Sequence, residues 1–377
     1  MTNSNTPALR FGGFEGVWTH TRLADIAQMY QPQTIGSKEL QQSGVPVFGA
    51  NGFIGFYNAA NHTTDQVTIS ARGEKTGTPS YVSGPVWITG NSMVVNVDSS
   101  GIDKRFLYGN LSSRSLKSLV TGGAQPQLTR NVLNEYRISI PPTLEEQRAI
   151  GELFADLDAL IEQHRAKHAN LQQTKTALMQ RMFPQDGADE PELRLGGFSG
   201  AWEVKEFGSV ATRSSTASAE PGLPRLEYED IVSGVGGLNK DLNRKESLKA
   251  GLLFGPGDVL YGKLRPYLKN WLLPNFHGIA VGDFWVLQSS TADPKFVYQL
   301  IQTPTYDAVA NISSGSKMPR ADWKLVSQAR IAFPPTLEEQ RAIGELFADL
   351  DALIASEHRY ITQLTQAKTA LLQRMFV

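Results

Sequence analysis

The sequence predicts an α+β protein made of two β-rich globular segments, each followed by one long helix. The strongest observation is a repeat: residues 141–161, PPTLEEQRAIGELFADLDALI, recur unchanged at 334–354, an offset of 193. A second block, LRFGGFEGVW at 9–18, is similar to LRLGGFSGAW at 193–202. Between these blocks, short apolar stretches alternate with glycine-rich turns, a pattern typical of β-strands. Two such units in one chain favour a pseudo-two-fold internal repeat, in which the two long helices form an antiparallel coiled coil.

The repeated stretch has the start signals of a helix in both copies. A Pro-Pro pair precedes each copy and disfavours helical backbone immediately before it. Thr143 and Thr336 are the predicted N-caps, and Glu146 and Glu339 stand three residues later, where they would complete a capping box. No proline then interrupts about forty residues, which corresponds to roughly 60 Å of helix at 1.5 Å per residue.

Heptad spacing along both helices predicts the seam on which they pair. Apolar side chains recur at intervals of three and four residues, which is typical of a coiled coil. The predicted seam comprises Ile150, Leu153, Leu157, Leu160, Leu171 and Leu178 in the first copy, and Ile343, Leu346, Leu350, Leu353, Tyr360, Leu364, Ala367 and Leu371 in the second. Polar residues interrupt the pattern, among them His164, Lys167, Thr174 and Glu357. These interruptions favour two helices pairing within one chain over a strict homodimeric zipper.

Short strands and one further helix are predicted within the globular segments. Strands are expected within residues 44–55, 67–70, 86–97, 258–261 and 279–288, and a helix at 295–302. The predicted organisation is a first globular domain at 1–140, a helix at 141–183, an acidic linker at 184–192, a second globular domain at 193–333 and a second helix at 334–377.

The composition is that of an ordered globular protein. Hydrophobic residues make up 41% of the 377 residues and charged residues 19%, which excludes an intrinsically disordered chain. There is no cysteine, so disulfides, thiolate nucleophiles and thiolate metal sites are excluded. The polar N-terminus has no hydrophobic signal core and no apolar run approaches membrane-spanning length, so we expect a cytoplasmic protein without a membrane partner.

The formal net charge of −1 is distributed unevenly along the chain. Residues 14–140 contain ten basic and eight acidic side chains, and residues 198–333 contain fifteen and thirteen, so each globular segment carries +2. The helical segments 141–184 and 334–377 are net acidic, with five basic against six acidic side chains and four against six. A basic binding face on each globular segment is therefore compatible with an acidic chain.

The sequence contains no complete catalytic or metal-binding motif. Residues 257–263, GDVLYGK, match the start of a phosphate-binding loop, but Leu264 stands where a Ser or Thr would hold Mg²⁺. A β-turn followed by a basic loop is the favoured interpretation. The Pro-Pro pairs lack the flanking residues of an amino-methyltransferase loop, and the six histidines lack metal-ligand spacing. We therefore predict a chain without catalytic residues and without a bound metal.

Basic and amide side chains in the loops at strand ends suit DNA recognition. Arg binds guanine bidentately, Asn or Gln binds adenine, and Lys and Arg contact phosphates. The sharpest example is the loop at 262–269, GKLRPYLK, which combines three cations and a tyrosine with a stiffening proline. For any single residue, a solvated surface loop is the alternative. The predicted DNA-binding residues are Asn51, Arg72, Lys75, Gln125, Gln127, Lys263, Arg265, Tyr267, Lys269, Lys317 and Arg320.

The two helix copies agree at exposed as well as buried positions, whereas the globular segments share little beyond their pattern. Uniform drift after a duplication would not spare the exposed positions. We therefore predict that the helices bind the same partner twice and that the globular segments meet two different targets. The predicted partner-binding residues are Glu145, Arg148, Glu152 and Asp156 in the first copy, and Glu338, Arg341, Glu345 and Asp349 in the second.

The motifs, in this order, resemble those of the specificity (S) subunit of Type I restriction–modification systems. They are the GGF-x-G-x-W lead-in, FGANGFIG, GDVLYGKLRPYL, and PP-x-LEEQ-x-x-I before a long helix, with the lead-in and helix motifs doubled. The resemblance covers essentially the whole chain. It implies two target recognition domains separated by two helices packed antiparallel, in a subunit without an active site of its own. It places DNA contacts on the loops at 263–269 and 72–75 and on Asn51.

The resemblance also implies the partners. Each recognition domain would read one half of a bipartite double-stranded DNA site. Two methyltransferase (M) subunits would dock on the assembly and methylate adenine at N6, and restriction (R) subunits would translocate and cut DNA. No cofactor is expected on this chain, since S-adenosylmethionine and ATP with Mg²⁺ would belong to the partner subunits.

Two other functions are compatible with the sequence. A coiled-coil adaptor that binds protein targets would share the helix pattern, and a gel shift with random-sequence DNA, with and without a methyltransferase partner, would discriminate it. A nucleotide hydrolase using residues 257–263 ranks last. It would show nucleotide hydrolysis or nucleotide-dependent stabilisation.

Overall fold

The computed structural model of the chain describes residues 5–123, 125–185, 187–242, 248–312 and 318–377. The chain divides into two compact units: unit 1 is Met1–Ala166 together with His358–Val377, and unit 2 is Lys167–Glu357. Each unit therefore contains the beginning of one of the two long helices and the end of the other.

Unit 1 is built mainly from short strands. Its strands are β1 (Thr19–Arg22), β2 (Gln28–Tyr30), β3 (Val45–Gly49), β4 (Gly52–Tyr57), β5 (Gln66–Ser70), β6 (Pro79–Val82), β7 (Trp87–Ile88), β8 (Ser92–Asn96) and β9 (Arg137–Ile140). Its helices are α1 (Leu23–Ile26), α2 (Lys104–Ser113), α3 (Arg130–Glu135) and the first part of α4 (Leu144–Met182).

These strands form a four-stranded sheet in the order β2-β8-β5-β6, a three-stranded sheet in the order β4-β3-β7 and the antiparallel pair β1-β9. β3 and β4, which lie in the predicted strand region at 44–55, form a hairpin in which Gly49 pairs with Gly52 across a turn that contains Asn51. The other strands predicted in this segment are present as β5, β7 and β8, whereas β1, β2, β6 and β9 were not predicted.

Unit 2 contains more and shorter strands. They are β10 (Glu203–Glu206), β11 (Thr212–Arg213), β12 (Ala217–Ser218), β13 (Arg225–Leu226), β14 (Ile231–Val232), β15 (Gly237–Leu238), β16 (Gly251–Phe254), β17 (Val259–Gly262), β18 (Trp271–Leu272), β19 (Gly278–Ala280), β20 (Phe284–Gln288) and β21 (Arg330–Phe333). The helices are α5 (Phe207–Val210), α6 (Pro294–Leu300), α7 (Pro304–Ala310), α8 (Trp323–Gln328) and the first part of α9 (Leu337–Met375).

Unit 2 repeats the central topology of unit 1 with a different sequence. Its four-stranded sheet β11-β20-β17-β18 corresponds to β2-β8-β5-β6, and its pair β10-β21 corresponds to β1-β9. A second four-stranded sheet, β12-β16-β19-β13, and the pair β14-β15 complete the strands described for this unit. The predicted strands are present as β17, β19 and β20, and the predicted helix is α6.

Within each unit, α4 and α9 run antiparallel. In unit 1 the Lys368 ammonium pairs with the Asp158 carboxylate. In unit 2 Lys175 Nζ lies 2.6 Å from Asp351 Oδ1. A second contact in each unit gives the direction. The His164 and Tyr360 rings meet in unit 1, and the Lys167 ammonium pairs with the Glu357 carboxylate in unit 2. Within each unit the residue number on one helix therefore falls as the number on the other rises, which is the predicted antiparallel pairing.

The predicted seam is wrong in part. Leu353 is 51% exposed and Ala367 is also exposed, whereas the neighbouring Ile354 is buried, as is Ile161 in the first copy. Tyr360 does lie on the seam, because its ring meets that of His164 on α4 with centroids 4.5 Å apart. Spacing alone does not decide between adjacent apolar residues, because α4 and α9 pack against a globular segment as well as against each other. The buried and half-buried apolar positions recur at intervals of four and then three residues, through positions 150, 154, 157 and 161 and their counterparts 343, 347, 350 and 354, and most of them belong to the cores of the globular segments.

The predicted caps begin both helices. The Thr143 hydroxyl oxygen accepts a hydrogen bond from the Glu146 N–H, and the Thr336 hydroxyl oxygen accepts one from the Glu339 N–H, each at 3.2 Å. The second half of the predicted capping box is wrong, because both glutamate side chains turn away from the caps to bind arginines of the lead-in repeat, residues 9–18 and 193–202.

These two ion pairs attach each lead-in repeat to the start of the long helix in its own unit. Arg10 donates to the two Glu146 carboxylate oxygens at 2.6 and 2.7 Å. Arg194 does the same to Glu339 at 2.7 and 2.8 Å. Both carboxylates are fully buried, so the arginines provide their charge compensation.

Each unit is centred on an equivalent cluster of four aromatic rings. The ring centroids are 5.6 to 6.3 Å apart in unit 1 and 5.6 to 6.2 Å apart in unit 2. The clusters explain why the lead-in tryptophan and the phenylalanine directly after each long helix are repeated in the sequence. They consist of Trp18, Phe106, Phe154 and Phe376 in unit 1 and Trp202, Phe296, Phe347 and Phe183 in unit 2.

Candidate nucleic-acid interface

Three loops of unit 1 carry its predicted DNA-binding residues, and the structure brings them together. The backbones of Arg72 and Gln127 pair as an antiparallel bridge, which joins the loop after β5 to the loop before α3. The Lys75 ammonium donates a hydrogen bond to the Asn51 carbonyl oxygen at 3.4 Å, which brings the β3–β4 turn to the same place. These four side chains and that of Gln125 are exposed. Unit 1 thus gathers amide and cationic groups that can bind base edges and phosphates.

The loop after β5 is held in a defined shape. Thr76 is buried, and its hydroxyl donates to the Gly73 carbonyl oxygen at 2.5 Å and lies 3.3 Å from the Pro126 carbonyl oxygen. Gly73 and Gly77 have φ of +87° and +86°, a conformation that glycine adopts without a Cβ penalty. A loop that is already ordered loses less conformational entropy when it binds.

Two exposed apolar residues that follow Asn51 were not among the predicted contacts. Phe53 and Ile54 on β4 are 54% and 43% exposed. Such side chains can contact the methyl group of thymine in the major groove. The sequence carried a usable signal, because two consecutive apolar residues in a strand point to opposite faces and cannot both enter one core.

In unit 2 the corresponding loops meet in the same way. Leu264 and Arg320 form an antiparallel bridge, and the Ala321 N–H donates to the Lys263 carbonyl oxygen at 2.8 Å. Arg320 follows Gln127 by the repeat offset of 193, so the bridge is the counterpart of the one in unit 1. The two units therefore present different side chains from equivalent loops.

The loop at 263–269 has a strained backbone at two cations. Arg265 and Lys269 have φ of +49° and +56° on either side of the 3₁₀ turn Pro266–Leu268, and both are exposed, as is Tyr267. Non-glycine residues in this region cost about 1–3 kcal/mol each and are enriched at functional sites. The predicted contact at Lys317 lies outside the described residues.

Asp283, which was not a predicted site residue, binds the remaining predicted cations of unit 2. Its carboxylate lies 3.5 Å from Lys263 Nζ and 3.0 Å from an Arg320 guanidinium nitrogen. Burial alone would raise the pKa of Asp283, but the hydrogen bonds and charges of Arg320 and Lys263 outweigh it and lower that pKa. Asp283 is thus ionised at neutral pH and holds two cations side by side. Nothing local in the sequence marks it, because its partners lie 20 and 37 positions away.

The predicted partner-binding residues lie on one exposed face of each long helix. Along each helix they recur at intervals of three, four and four residues, which places them on one face. They are all exposed: Glu145, Arg148, Glu152 and Asp156 on α4, and Glu338, Arg341, Glu345 and Asp349 on α9. Their binding to a partner stays a prediction.

Packing within each unit explains other identical positions of the two helices. The Gln147 amide oxygen accepts a hydrogen bond from the Asp103 N–H, and Gln340 accepts one from the Asp293 N–H, each at 3.0 Å. A Cβ added at Gly151 would lie 2.7 Å from Asp103 Oδ1. Internal packing therefore accounts for the buried face of the repeat, while the exposed face requires another explanation.

The segment 257–263 does not have the shape of a phosphate-binding loop. Gly257, with φ of +91°, is the third residue of a turn that the Asp258 N–H closes by donating to the Gly255 carbonyl oxygen, and Val259–Gly262 is strand β17, paired with β18 and β20. The N–H of Gly262 donates to the Asn270 carbonyl oxygen at 2.7 Å, and that of Lys263 to the Asp283 carbonyl oxygen at 2.9 Å. These donors are used within the sheet, which confirms the interpretation as a turn before a basic loop.

Two further findings concern the described part of the chain only. Its His, Asp and Glu side chains form no group of three or more that could hold a metal ion. None of its helices combines the length and apolar character needed to cross a membrane.

Comparison with known proteins adds the following. A model of the Type I restriction modification DNA specificity domain matches residues 16–173. The chain is similar to the Type I restriction enzyme MjaVIII specificity subunit of Methanocaldococcus jannaschii, with 23% identity over 299 residues, 72% of this chain and 69% of that protein. It is also similar to the Type I restriction enzyme EcoDI specificity subunit of Escherichia coli, with 25% identity over 314 residues, 73% of this chain and 70% of that protein.

One solved structure shares the fold over the whole chain. The crystal structure of the Type I restriction–modification S subunit from M. genitalium aligns with a TM-score of 0.70 and covers 99% of both chains, at 14% sequence identity.

Proposed function

We propose that the chain is a specificity subunit of a Type I restriction–modification system and that each of its two units reads one half of a bipartite double-stranded DNA site, a proposal supported by the family model and the relatives it resembles. In this proposal the chain contributes recognition, and the reactions belong to the other subunits of the system. S-adenosylmethionine and ATP with Mg²⁺ would bind those subunits.

The equivalent loop pairing in the two units carries the proposal. The Arg72–Gln127 bridge and the Leu264–Arg320 bridge gather predicted DNA-binding residues at the same position of the repeated topology. Because the two sets of side chains differ, the two half-sites would differ in sequence. Each bidentate contact of Arg with guanine or of an amide with adenine would add about 1–3 kcal/mol of discrimination.

The exposed faces of α4 and α9 would dock two methyltransferase (M) subunits. Four identical exposed side chains on each helix would offer the same surface twice, which suits two copies of one partner. The M subunits would methylate adenine at N6 within the bound site, and restriction (R) subunits would join for translocation and cleavage.

The long helices would set the spacing between the half-sites. A helix of 39 residues is about 58 Å long at 1.5 Å per residue, and DNA advances about 34–36 Å per turn. Two readers attached to such a helix pair would contact the duplex one or two turns apart and leave the sequence between them unread.

Paired substitutions test whether each unit reads its own half-site. We expect Lys263→Ala with Arg265→Ala to relax the specificity for one half-site only. Arg72→Ala with Lys75→Ala is the matched pair in unit 1, and it should relax the specificity for the other half-site. The measurement is methylation mapping of cells that carry the chain and its methyltransferase partner.

Two results would contradict this proposal. If both pairs weakened binding to every DNA sequence equally, the four cations would be phosphate contacts, each worth about one unit of salt slope. If the wild-type complex showed no preference among duplex sequences, the chain would not be a DNA-reading subunit and a protein target would have to be sought.

A further inference from the structure

Arg213 is a cation of unit 2 that the sequence did not single out. It ends β11, the edge strand of the sheet β11-β20-β17-β18. Its guanidinium carbon lies 4.9 Å from the ring centroid of Trp323 and 5.8 Å from that of Trp285. The two indole rings meet edge to face with centroids 5.3 Å apart. The guanidinium is thus held against two aromatic rings through cation–π contacts.

The two aromatic rings hold the Arg213 side chain in place, but no neighbouring carboxylate neutralises its charge in the described part of the chain. The residue is exposed, and among the residues that the structure describes no carboxylate forms an ion pair with it. A guanidinium fixed by aromatic rings keeps the N–H donors at its edge available and loses less freedom when it binds an oxyanion. Its surroundings therefore favour a ligand of negative charge.

Arg213 faces a groove that is lined by cations and hydroxyl groups. Two adjoining clefts share Arg213, Lys263, Trp285, Trp323 and Ser327. One of them extends to Arg320 and Lys324, and the other to Thr212, Ser214 and Ser215.

The carboxylates of the groove do not cancel these cations. Glu206 and Asp322 line it, and Asp322 accepts a hydrogen bond from the Lys324 N–H at 2.8 Å as the N-cap of α8. Against these two, the groove presents four basic side chains: Arg213, Lys263, Arg320 and Lys324. The Asp283 carboxylate, which is not part of the lining, binds Lys263 and Arg320, so four basic side chains stand against three carboxylates, and none of the three forms an ion pair with Arg213 among the described residues.

The groove leads directly into the recognition loop of unit 2, because Lys263 belongs to both. When the loop at 263–269 contacts base-pair edges in a groove of the duplex, the phosphates that border that groove lie alongside the loop. A planar guanidinium suits a phosphate, whose oxygens accept two parallel N–H bonds. We propose that Arg213 binds a backbone phosphate of the DNA that the loop at 263–269 reads, and that Trp285 and Trp323 hold the guanidinium in place for this contact. This inference rests on the proposed function.

The test measures duplex affinity of the full chain in complex with its methyltransferase subunits, between about 50 and 200 mM salt. Two duplexes are used, one with the site found by methylation mapping and one of random sequence. Arg213→Ala should lower the affinity for both duplexes by the same factor. It should also make the slope of log affinity against log salt shallower by about 0.9, the value for one lost phosphate contact.

Two further variants separate the contact from non-specific effects. Arg213→Lys keeps the charge but not the planar fork, so the salt slope should stay and the affinity for both duplexes should fall. Arg181→Ala removes an exposed arginine of unit 2 that pairs with Glu192 outside the groove, and both slope and affinity should stay unchanged.

The proposal is overturned if Arg213→Ala leaves the slope unchanged, or if it weakens only the duplex that carries the site, which would make Arg213 a base reader. A wild-type complex that does not distinguish the two duplexes would instead refute the proposed function. The slope on the random duplex would still report whether Arg213 meets a phosphate.

Discussion

At the scale of single residues, the buried ion pair of each lead-in repeat is the most consequential contact. Glu146 and Glu339 are buried, and each receives two hydrogen bonds from one arginine. The hydrogen bond with Glu146 raises the pKa of Arg10, as the bond with Glu339 raises that of Arg194. A buried carboxylate that loses its cation is costly, so these pairs hold the lead-in against the helix start.

Arg10→Ala is expected to lower the free energy of unfolding of unit 1 by about 3 kcal/mol, because Glu146 would keep its charge without a buried partner. Hydrogen exchange followed by mass spectrometry measures this, since it resolves unit 1 from unit 2. Arg22→Ala is the control. Arg22 pairs with Asp25 at 2.9 Å, but both side chains are largely exposed, so its loss should have a much smaller effect. Equal losses in the two variants would contradict the role given to the buried pair.

At the scale of elements, the start of each long helix docks against a short helix of its own globular segment. Asp103 caps α2 with its carboxylate and donates its N–H to Gln147, and Asp293 caps α6 and donates to Gln340. In unit 1, α4 approaches α2 closely because Gly151 faces the capped start of α2. In unit 2, Gly344 of α9 faces the capped start of α6 in the same way.

Gly151→Ala should destabilise unit 1, although alanine inside a helix is usually favoured over glycine by about 1 kcal/mol. A Cβ there would lie 2.7 Å from Asp103 Oδ1 and 2.8 Å from Arg105 Cβ, so α2 would have to move. Gly344→Ala should have the same effect in unit 2. The loss would appear as faster hydrogen exchange in α2 or α6.

Gly12→Ala is the matched control, since a Cβ at that position meets no heavy atom within 4 Å. It should leave hydrogen exchange in both units unchanged. Slower exchange in the Gly151→Ala variant would show that helix propensity outweighs the close approach.

At the scale of the whole molecule, the repeat also relates the chain termini to the internal linker. In unit 2 the Leu193 N–H donates to the Arg181 carbonyl oxygen at 2.8 Å, and the linker at 184–192 joins the end of α4 to the second lead-in repeat. In unit 1 the Leu9 N–H donates to the Arg374 carbonyl oxygen, also at 2.8 Å, but no short linker joins the end of α9 to the first lead-in repeat. Residues 9 and 374 in unit 1 are therefore arranged in the same way as residues 193 and 181, which flank the linker in unit 2.

A circular permutant should fold and keep its DNA specificity. It would run from residue 193 to 377, continue through the linker sequence 184–192, and end with residues 9–183. Methylation mapping should return the same two half-sites as the native chain. A permutant opened within β17 should not fold, because the cut would break the central sheet of unit 2. Failure of both permutants alike would contradict the equivalence of linker and termini.

A second whole-molecule prediction concerns the spacing role proposed for the helices. We expect one heptad inserted after Ile161, with a second inserted opposite it after Leu364, to lengthen the unread spacer and to leave both half-sites unchanged. Seven residues add about 10 Å of helix, which corresponds to at most about three base pairs at 3.4 Å each. Methylation mapping measures the spacer, and an unchanged spacer would refute this role. Insertion into one helix only should disrupt the pairing of α4 with α9.

The sequence by itself determined the internal repeat, both long helices with their threonine caps, some of the sheet strands and the loops that carry the candidate contacts. These features depend on local spacing, turn residues and apolar periodicity, which a single chain displays directly. Only the tertiary structure decided which face of each helix forms the seam, that Glu146 binds Arg10 rather than its own cap, that Asp283 joins Lys263 to Arg320, and that two tryptophans position Arg213. Each of these depends on side chains that are distant along the chain and become neighbours only when the strands and helices pack.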